Sequence, residues 1–297
     1  MKGQKAPQRW QADLSLAIVA LVWGATFVIV KRALDDISTV YFLAVRFSLA
    51  ALCMIPIFFR QFQQAGVPAV LRGLRAGAAV GVFLWLGYML QTFGLKYTTA
   101  GNSGFLTGLY VVLVPFIGAI VYRRAPQARE LGGIALATAG MAAVTFPSMD
   151  RSLHMNRGDL LTLGCAVAFA FQLLLLSYYS QRELVAAVAL GQIASTALLS
   201  ICSLPFEPPR AVWNPSLVFA IVSTAIFATA LAFALQTWGQ KYTTATRTAL
   251  IFALEPVFAL ATAVSFGREA LTAAAVIGGT LILAGILAVE LKPAAKT

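Results

Sequence analysis

One eleven-residue segment occurs twice in this chain. The first copy covers residues 90–100 (LQTFGLKYTTA) and the second covers residues 235–245 (LQTWGQKYTTA), so the offset is 235 − 90 = 145 residues. Nine of the eleven positions are identical. The match continues outside the segment, from Gly133 to Gly278, from Gly140 to Gly285 and, with an offset of 146, from Asp13 to Asp159. The second half is therefore interpreted as a copy of the first, and two similar units are expected in the fold.

The composition indicates that lipid, and not water, surrounds most of the folded chain. Of the 297 residues, 60% are hydrophobic and only 11% are charged, and the mean hydropathy is +0.82. An average soluble domain has roughly 25% charged residues. The formal net charge is +11, but the basic residues stand almost entirely in short gaps between apolar runs, as in the cytoplasmic loops of membrane proteins. No nucleic-acid partner is expected.

Ten stretches are long and apolar enough to cross a bilayer as helices. A bilayer core about 30 Å thick requires about 20 residues at a rise of ~1.5 Å per residue. The predicted spans cover residues 13–32, 37–59, 73–95, 99–122, 129–147, 158–180, 184–204, 214–239, 244–266 and 270–291. Each copy then holds five spans, and this odd number makes the second copy enter the membrane from the opposite side.

The predicted fold class is therefore an all-α polytopic membrane protein with ten transmembrane helices in an inverted five-plus-five repeat. The predicted parts are a cytoplasmic N-terminal tail (1–12), a first five-helix repeat (13–147), a linker (148–157), a second five-helix repeat (158–291) and a C-terminal tail (292–297). Inverted repeats are common in secondary transporters, which bind their solute at mid-depth between the halves.

Glycines spaced four residues apart predict close packing between helices. They occur at Gly73, Gly77 and Gly81, and again at Gly104 and Gly108. Small residues at this spacing allow helix backbones to approach each other within a membrane. These positions are expected to serve packing and not ligand binding.

The basic residues also predict the orientation. In the predicted connections, Lys and Arg on the side of the N-terminus outnumber those on the other side by 13 to 7. An excess of Lys and Arg marks the cytoplasmic side. Both termini are therefore expected in the cytoplasm, and the chain is placed in the bacterial cell (inner) membrane.

Several short motifs resemble those of EamA-type drug/metabolite transporters. They are Val22–Phe27 (VWGATF), Val45–Phe47 (VRF), Leu254–Phe258 (LEPVF) and the two KYTTA segments. The resemblance covers roughly residues 13–291. It implies a ten-helix, inverted five-plus-five secondary transporter that moves small organic metabolites, often outward, through a central cavity between the halves.

Arg46 is one candidate for binding the solute. It lies about ten residues into the second predicted span. An Arg at the centre of a membrane helix costs about 2.5–3.5 kcal/mol on insertion scales, so it normally faces a cavity or a partner. Two interpretations stay open: Arg46 attracts anionic groups of a substrate, or it ties helices together by bonding backbone carbonyls. Its repeat counterpart is Gln192 (46 + 146), which retains polarity without charge.

Glu255 is the second charged candidate, in the middle of the ninth predicted span. Apolar surroundings disfavour the charged form of a carboxyl group, so Glu255 is a candidate for proton coupling near neutral pH, or for binding a cationic group. A structural hydrogen-bonding role is the alternative. Pro256 follows directly, removes a backbone hydrogen bond and is expected to break the helix near Phe252.

Neutral polar and aromatic residues complete the predicted substrate-binding set. The repeat places Gln91 and Thr92 at a depth related to that of Gln236 and Thr237. Trp85, Tyr88 and Thr92 recur at helical spacing and are expected to share one face. The remaining candidates are Trp23, Asn102, Gln172 and Gln192. Hydrogen bonding and packing between helices are the alternative roles for all of these residues.

The sequence thus predicts a secondary transporter that exports small organic metabolites, such as amino acids, nucleosides or amphipathic drugs, by alternating access. Its expected partners are a small-molecule substrate, the lipid bilayer and, as an option, protons. No catalytic residue, metal site or cofactor is predicted, since nucleotide-binding motifs are missing and the single His154 has no ligands at metal spacing. The alternatives are a transport-inactive receptor or assembly partner, and a lipid-modifying membrane enzyme.

Overall fold

The computed structural model describes residues 9–123, 126–145, 156–265 and 271–290, and over these ranges the chain is almost entirely helical. The helices are α1 (Arg9–Asp36), α2 (Thr39–Ala65), α3 (Val67–Tyr97), α4 (Ala100–Gly108), α5 (Tyr110–Tyr122), α6 (Ala128–Thr145), α7 (Arg157–Ser180), α8 (Val185–Cys202), α9 (Pro215–Ala225), α10 (Ala232–Lys241), α11 (Ala245–Phe252), α12 (Glu255–Ser265) and α13 (Ala273–Glu290). A 3-10 turn (Leu204–Phe206) follows α8, and a π-helical segment (Ile226–Leu231) joins α9 to α10. The all-α prediction is confirmed.

Eight helical stretches in the described ranges are long and apolar enough to cross a membrane. They cover 9–36, 39–65, 67–97, 102–121, 157–180, 185–206, 215–241 and 245–262. The apolar helix at Ala273–Val289 is shorter, and α6 begins with the charged pair Arg129 and Glu130. Length and composition therefore establish a multi-pass protein but not the predicted count of ten. The predicted linker and both predicted tails fall largely outside the described residues.

Three predicted spans are not continuous α-helices. The predicted span 214–239 contains the π-helical segment, and the span 99–122 is interrupted at Leu109. The span 244–266 is interrupted at Ala253 and Leu254, so that Glu255 and Pro256 open α12. A proline fits a first helical turn because the amide hydrogen that it lacks has no partner there. Leu109 is the repeat counterpart of Leu254 (254 − 145), yet no proline follows it, so proline is not the common cause of the two breaks.

Glycines bring α3 and α8 into close contact. A Cβ atom added to Gly77 would lie 2.9 Å from both the Gln192 nitrogen and the Gly191 Cα atom, and one added to Gly73 would meet Ala187. The predicted packing role of this glycine row is therefore confirmed. The same prediction is wrong for Gly104, because a Cβ atom there would enter open space.

Four glycines also pack α6 against α13. A Cβ atom on Gly133 would lie 2.6 Å from the carbonyl oxygen of Gly285, and one on Gly140 would lie 2.5 Å from that of Gly278. A side chain at any of the four positions would therefore force the two helices apart. The sequence repeat pairs Gly133 with Gly278 and Gly140 with Gly285. In the structure the pairing is crossed, because Gly133 contacts Gly285 and Gly140 contacts Gly278.

Apolar side chains cover the outside of the bundle as well as its interior. Ile57, Ile120 and Phe219 are among many large hydrophobic residues on the surface, as expected for a protein that faces lipid. Inside, the buried residues form two large clusters, and each cluster draws on both halves of the chain. Trp23 and Phe169 pack against both clusters and so mark the place where they meet.

Candidate functional site

A cavity lies where the two clusters meet, with about 710 Å³ of empty space when its open mouth is included. Its aromatic wall consists of Trp23, Phe27, Tyr88, Tyr110, Phe169, Phe233 and Phe252. Its polar residues are Thr26, Arg46, Gln91, Thr92, Thr107, Gln172, Gln236 and Glu255. The cavity therefore combines a large apolar surface with both signs of charge.

Most of the predicted substrate-binding residues line this cavity, and four do not. Those in the wall are Trp23, Arg46, Tyr88, Gln91, Thr92, Gln172, Gln236 and Glu255. Trp85 is turned away because α3 presents Leu84 and Tyr88 instead, and neighbouring positions on an α-helix differ by about 100°. Asn102 lies in the first turn of α4, where its backbone nitrogen donates to Thr99 Oγ1. Gln192 and Thr237 are fully buried behind the wall.

Arg46 is held by uncharged groups. Its Nε donates to Thr229 Oγ1 (2.8 Å), and its Nη2 lies 3.5 Å from the Tyr88 hydroxyl and 3.4 Å from the Ala228 oxygen. The guanidinium carbon also lies 5.0 Å from the ring centre of Tyr88. A cation over an aromatic ring is attracted to the face of that ring. The side chain is 3% exposed and has no carboxylate partner among the described residues.

The π-helical segment supplies two of these contacts. Its wider turn lets the Thr229 hydroxyl donate to the oxygen of Thr224, five residues earlier (2.9 Å). The oxygen of Ala228 accepts from the indole nitrogen of Trp23 (2.9 Å) as well as lying near Arg46. Single π turns inside membrane helices frequently occur at functional sites. Here the segment fixes the positions of one aromatic and one cationic residue of the cavity.

Glu255 faces the cavity from the first turn of α12. Its carboxylate makes no hydrogen bond or ion pair with any described residue. The amino end of a helix carries a partial positive charge, which favours a carboxylate in the first turn. Arg46 and Glu255 thus line one cavity without forming an ion pair, since the salt bridges of the described residues involve other side chains. The cavity can therefore offer a cation and a carboxyl group to a bound molecule.

The amide side chains in the wall have different environments. Gln91 donates from Nε2 to Thr107 Oγ1 (3.0 Å), and Gln172 donates from Nε2 to Gln192 Oε1 (3.1 Å). Gln236 is 1% exposed, and its Oε1 is buried without a hydrogen-bond partner among the described residues. These amides can donate to, and accept from, a polar solute.

Sequence reasoning missed several residues of the site. Phe169, Phe233, Phe252 and Tyr110 lie within apolar runs, where an aromatic residue of the wall looks like any residue of the core. Thr229 carries no signal either, since its role depends on the π-helical register. One sequence signal could have identified Tyr110. It is the repeat counterpart of Glu255 (255 − 145), where Pro256 predicts a helix break.

The two ends of α1 are bound to other helices by charged side chains. Near the start of α1, Asp13 accepts two hydrogen bonds from Arg247 of α11, at 2.8 Å from Nε and 2.5 Å from Nη2. Near the end of α1, the ammonium group of Lys31 donates to the oxygens of Leu95 (3.3 Å) and Thr98 (2.6 Å). Cations stabilise the carboxyl end of a helix in this way. Asp159, the repeat counterpart of Asp13, accepts instead from Thr98 Oγ1 (2.6 Å).

Together, the fold and the site define a class of protein. A helical bundle with an apolar exterior and an aromatic cavity that holds unpaired charges is the architecture of a solute carrier in a membrane. The sequence profile of the EamA-like transporter family matches residues 10–146 and, a second time, residues 156–291. The chain belongs to the EamA-like transporter family, which confirms the resemblance of its motifs, and it is a multi-pass membrane transporter.

Known proteins similar to this chain carry related names. An "uncharacterized transporter" of Archaeoglobus fulgidus is 36% identical over 98% of this chain and 89% of the relative. A "probable amino-acid metabolite efflux pump" of Salmonella typhimurium is 25% identical over 91% of this chain and 91% of the relative. A solved crystal structure has the same fold, with a TM-score of 0.77, 21% identity and coverage of 95% of this chain and 97% of that chain.

Proposed function

We propose that this protein exports small zwitterionic metabolites that have an apolar or aromatic side group, the chemistry of an aromatic amino acid. One observation carries the proposal: Arg46 and Glu255 line the same cavity without pairing with each other. A zwitterion supplies a carboxylate for the first and an ammonium group for the second. Buried charges are costly unless they are paired, so a ligand of this kind stabilises both.

The aromatic wall supports the apolar part of the ligand. Phe169, Phe233 and Tyr88 lie close together, with ring centres 5.4 Å apart for Tyr88 and Phe169 and 6.2 Å apart for Tyr88 and Phe233. Aromatic rings prefer edge-to-face contacts at such distances, and an aromatic group of the ligand can contact this wall in the same way. Nucleosides and amphipathic drugs share only part of this chemistry, because few of them carry a carboxylate beside a cation.

Export by alternating access between two inverted five-helix halves is the proposed mechanism. The cross-paired glycines of α6 and α13 are what a two-fold axis between the halves produces. Under such an axis, the contact between Gly133 and Gly285 becomes the contact between Gly278 and Gly140. The name of the Salmonella relative supports outward transport of an amino-acid metabolite. The proposed location is the inner membrane, with both termini in the cytoplasm.

Counterflow in proteoliposomes tests this function. Purified protein is reconstituted with unlabelled L-phenylalanine inside the vesicles, and tritiated L-phenylalanine is added outside. Transient accumulation of the label is expected for the wild type and is expected to be lost in Arg46→Gln. Arg60→Gln serves as the matched control, since Arg60 is an exposed residue of the same helix. Binding without counterflow would show a receptor, and chemical alteration of the label would show an enzyme; either result contradicts the proposal.

A further inference from the structure

Three side chains behind one wall of the cavity form a continuous hydrogen-bonded chain, here called the Gln172 relay. Gln172 donates from Nε2 to Gln192 Oε1 (3.1 Å), and Gln192 donates from Nε2 to Thr237 Oγ1 (3.0 Å). Thr237 donates from its hydroxyl to the backbone oxygen of Phe233 (2.6 Å). Gln172 lines the cavity, whereas Gln192 and Thr237 are 0% exposed and cannot touch a solute there.

The carbonyl group at the far end fixes the direction of the whole relay. A backbone carbonyl can only accept, so the single hydroxyl hydrogen of Thr237 is used there and its oxygen must accept from Gln192. The amide nitrogen of Gln192 is therefore turned towards Thr237, and its oxygen towards Gln172. Gln172 in turn must offer its nitrogen to Gln192, which leaves its own oxygen, Oε1, away from the relay.

This oxygen is an acceptor in need of a donor. No described residue donates to Oε1 of Gln172, and this oxygen is not enclosed as that of Gln236 is, so it is open to a donor from the cavity. An amide that is free to rotate could offer either its oxygen or its nitrogen to a ligand. The relay removes that choice, because turning Gln172 around would set two amide oxygens against each other.

We propose that Gln172 is a specificity-determining residue that accepts a hydrogen bond from the ammonium group of the solute. Gln192 and Thr237 are positioning residues that hold Oε1 towards the cavity. This inference rests on the proposed transport of amino-acid-like zwitterions. It adds that the cavity distinguishes an amino acid from the corresponding acid without an amino group, since that acid has no N–H to donate and leaves the fixed carbonyl oxygen without a partner.

Two ligands that differ only in the amino group test the assignment. Tritiated L-phenylalanine is bound to the purified full-length protein and displaced by either L-phenylalanine or 3-phenylpropionate. The measured quantity is the ratio of their half-displacing concentrations. For the wild type this ratio is expected to be at least about ten, because hydrogen bonds to charged groups contribute a factor of this size or more. A ratio, unlike a single affinity, does not change when a variant merely weakens the whole site.

Matched variants interrupt or preserve the relay. Thr237→Val removes the hydroxyl and keeps the shape, whereas Thr237→Ser keeps the hydroxyl. Thr237→Val and Gln192→Met are expected to lower the ratio at least about threefold, and Gln172→Met about tenfold, while Thr237→Ser retains the wild-type value. If wild-type protein neither binds nor exchanges L-phenylalanine, the proposed function fails and this inference fails with it. If it does both, but all relay variants keep the wild-type ratio, only the role of Gln172 is overturned.

Discussion

At the scale of single residues, the contacts of Arg46 are compatible with both of the roles that the sequence left open. Its Nε is used to hold α2 to the π-helical segment through Thr229, which is a structural tie. Its Nη2 has only long contacts, at 3.4 and 3.5 Å, with Ala228 and Tyr88. A guanidinium group has five N–H donors, so much of its capacity remains for a ligand. The same side chain can therefore fix the wall and bind a carboxylate.

We expect Arg46→Gln to weaken L-phenylalanine binding about 10- to 100-fold, because a charge-assisted hydrogen bond to the ligand carboxylate is lost. Phenethylamine, which has no carboxylate, is expected to bind equally well to the variant and the wild type. Displacement of tritiated L-phenylalanine by each compound measures both effects. An equal loss for the two compounds would mean that Arg46 acts only as a tie between helices.

Glu255→Gln tests whether protons are coupled to transport. A carboxyl group changes its charge with pH and an amide does not, so the variant is expected to transport more slowly and with a flat pH dependence. Initial counterflow rates between pH 5.5 and 8.5, normalised within each protein, provide the measurement. Asp35→Asn is the control, since Asp35 is exposed at the end of α1. A pH profile of unchanged shape in Glu255→Gln would remove Glu255 from proton coupling.

The residues of the site that the sequence revealed are those that contrast with their surroundings. Arg46, Glu255 and the amides stand out because polar groups within an apolar run require an explanation. Phe169 and Phe252 do not stand out, because their place in the cavity wall depends on how the helices pack. Gln192 stands out as the polar repeat counterpart of Arg46, but its place behind the wall depends on the contact between α3 and α8.

At the scale of elements, helix interruptions place the site. Both halves break at the same repeat position, Leu109 and Leu254, and the residue after each break lines the cavity. Pro256 made the second break predictable, whereas nothing in the sequence marks the first. The π-helical segment was equally hidden, since one widened turn leaves the hydrophobic pattern unchanged.

We expect Gly140→Val to destabilise the protein, because the added side chain meets the Gly278 oxygen and Ile282 in the contact between α6 and α13. Overpacking of this kind costs about 1–3 kcal/mol. The melting temperature in detergent, followed by intrinsic fluorescence, should fall by several degrees. Gly132→Val on the same helix is the control, since a Cβ atom there meets nothing within 4 Å. Equal melting temperatures for the two variants would contradict the close contact.

At the scale of the whole molecule, the apolar runs predicted the all-helical, multi-pass membrane class, and the duplicated sequence agrees with the two matches of the family profile. The hydrophobic runs located most helices to within a few residues, because burial in lipid requires long apolar segments. The count of ten spans stays a prediction, since α6 and α13 do not meet the length and composition of the eight membrane-crossing helices. The packing between the two halves depends on glycines whose contact partners cannot be derived from the sequence.

Cysteine labelling tests the inverted arrangement. Tyr97→Cys and Tyr242→Cys are made in a chain whose Cys53, Cys165 and Cys202 are replaced by Ala. A membrane-impermeant maleimide added to intact cells is expected to label only the first, because an odd number of spans separates the two positions. Asp35→Cys should behave like Tyr97→Cys and serves as the control. Labelling of both tyrosine positions from outside would rule out inversion.

The bidentate ion pair between Asp13 and Arg247 limits how the two halves can move relative to each other. It joins α1 to α11, which belong to different halves, and it lies at the end of α1 remote from Val30, which lines the cavity. A second ion pair joins the halves near the other end of α1, where Lys96 lies 2.6 Å from Glu207 and Lys31 bonds the carbonyl oxygen of Leu95. Rocking of one half against the other must therefore separate an acid from a base, whichever end of the molecule opens.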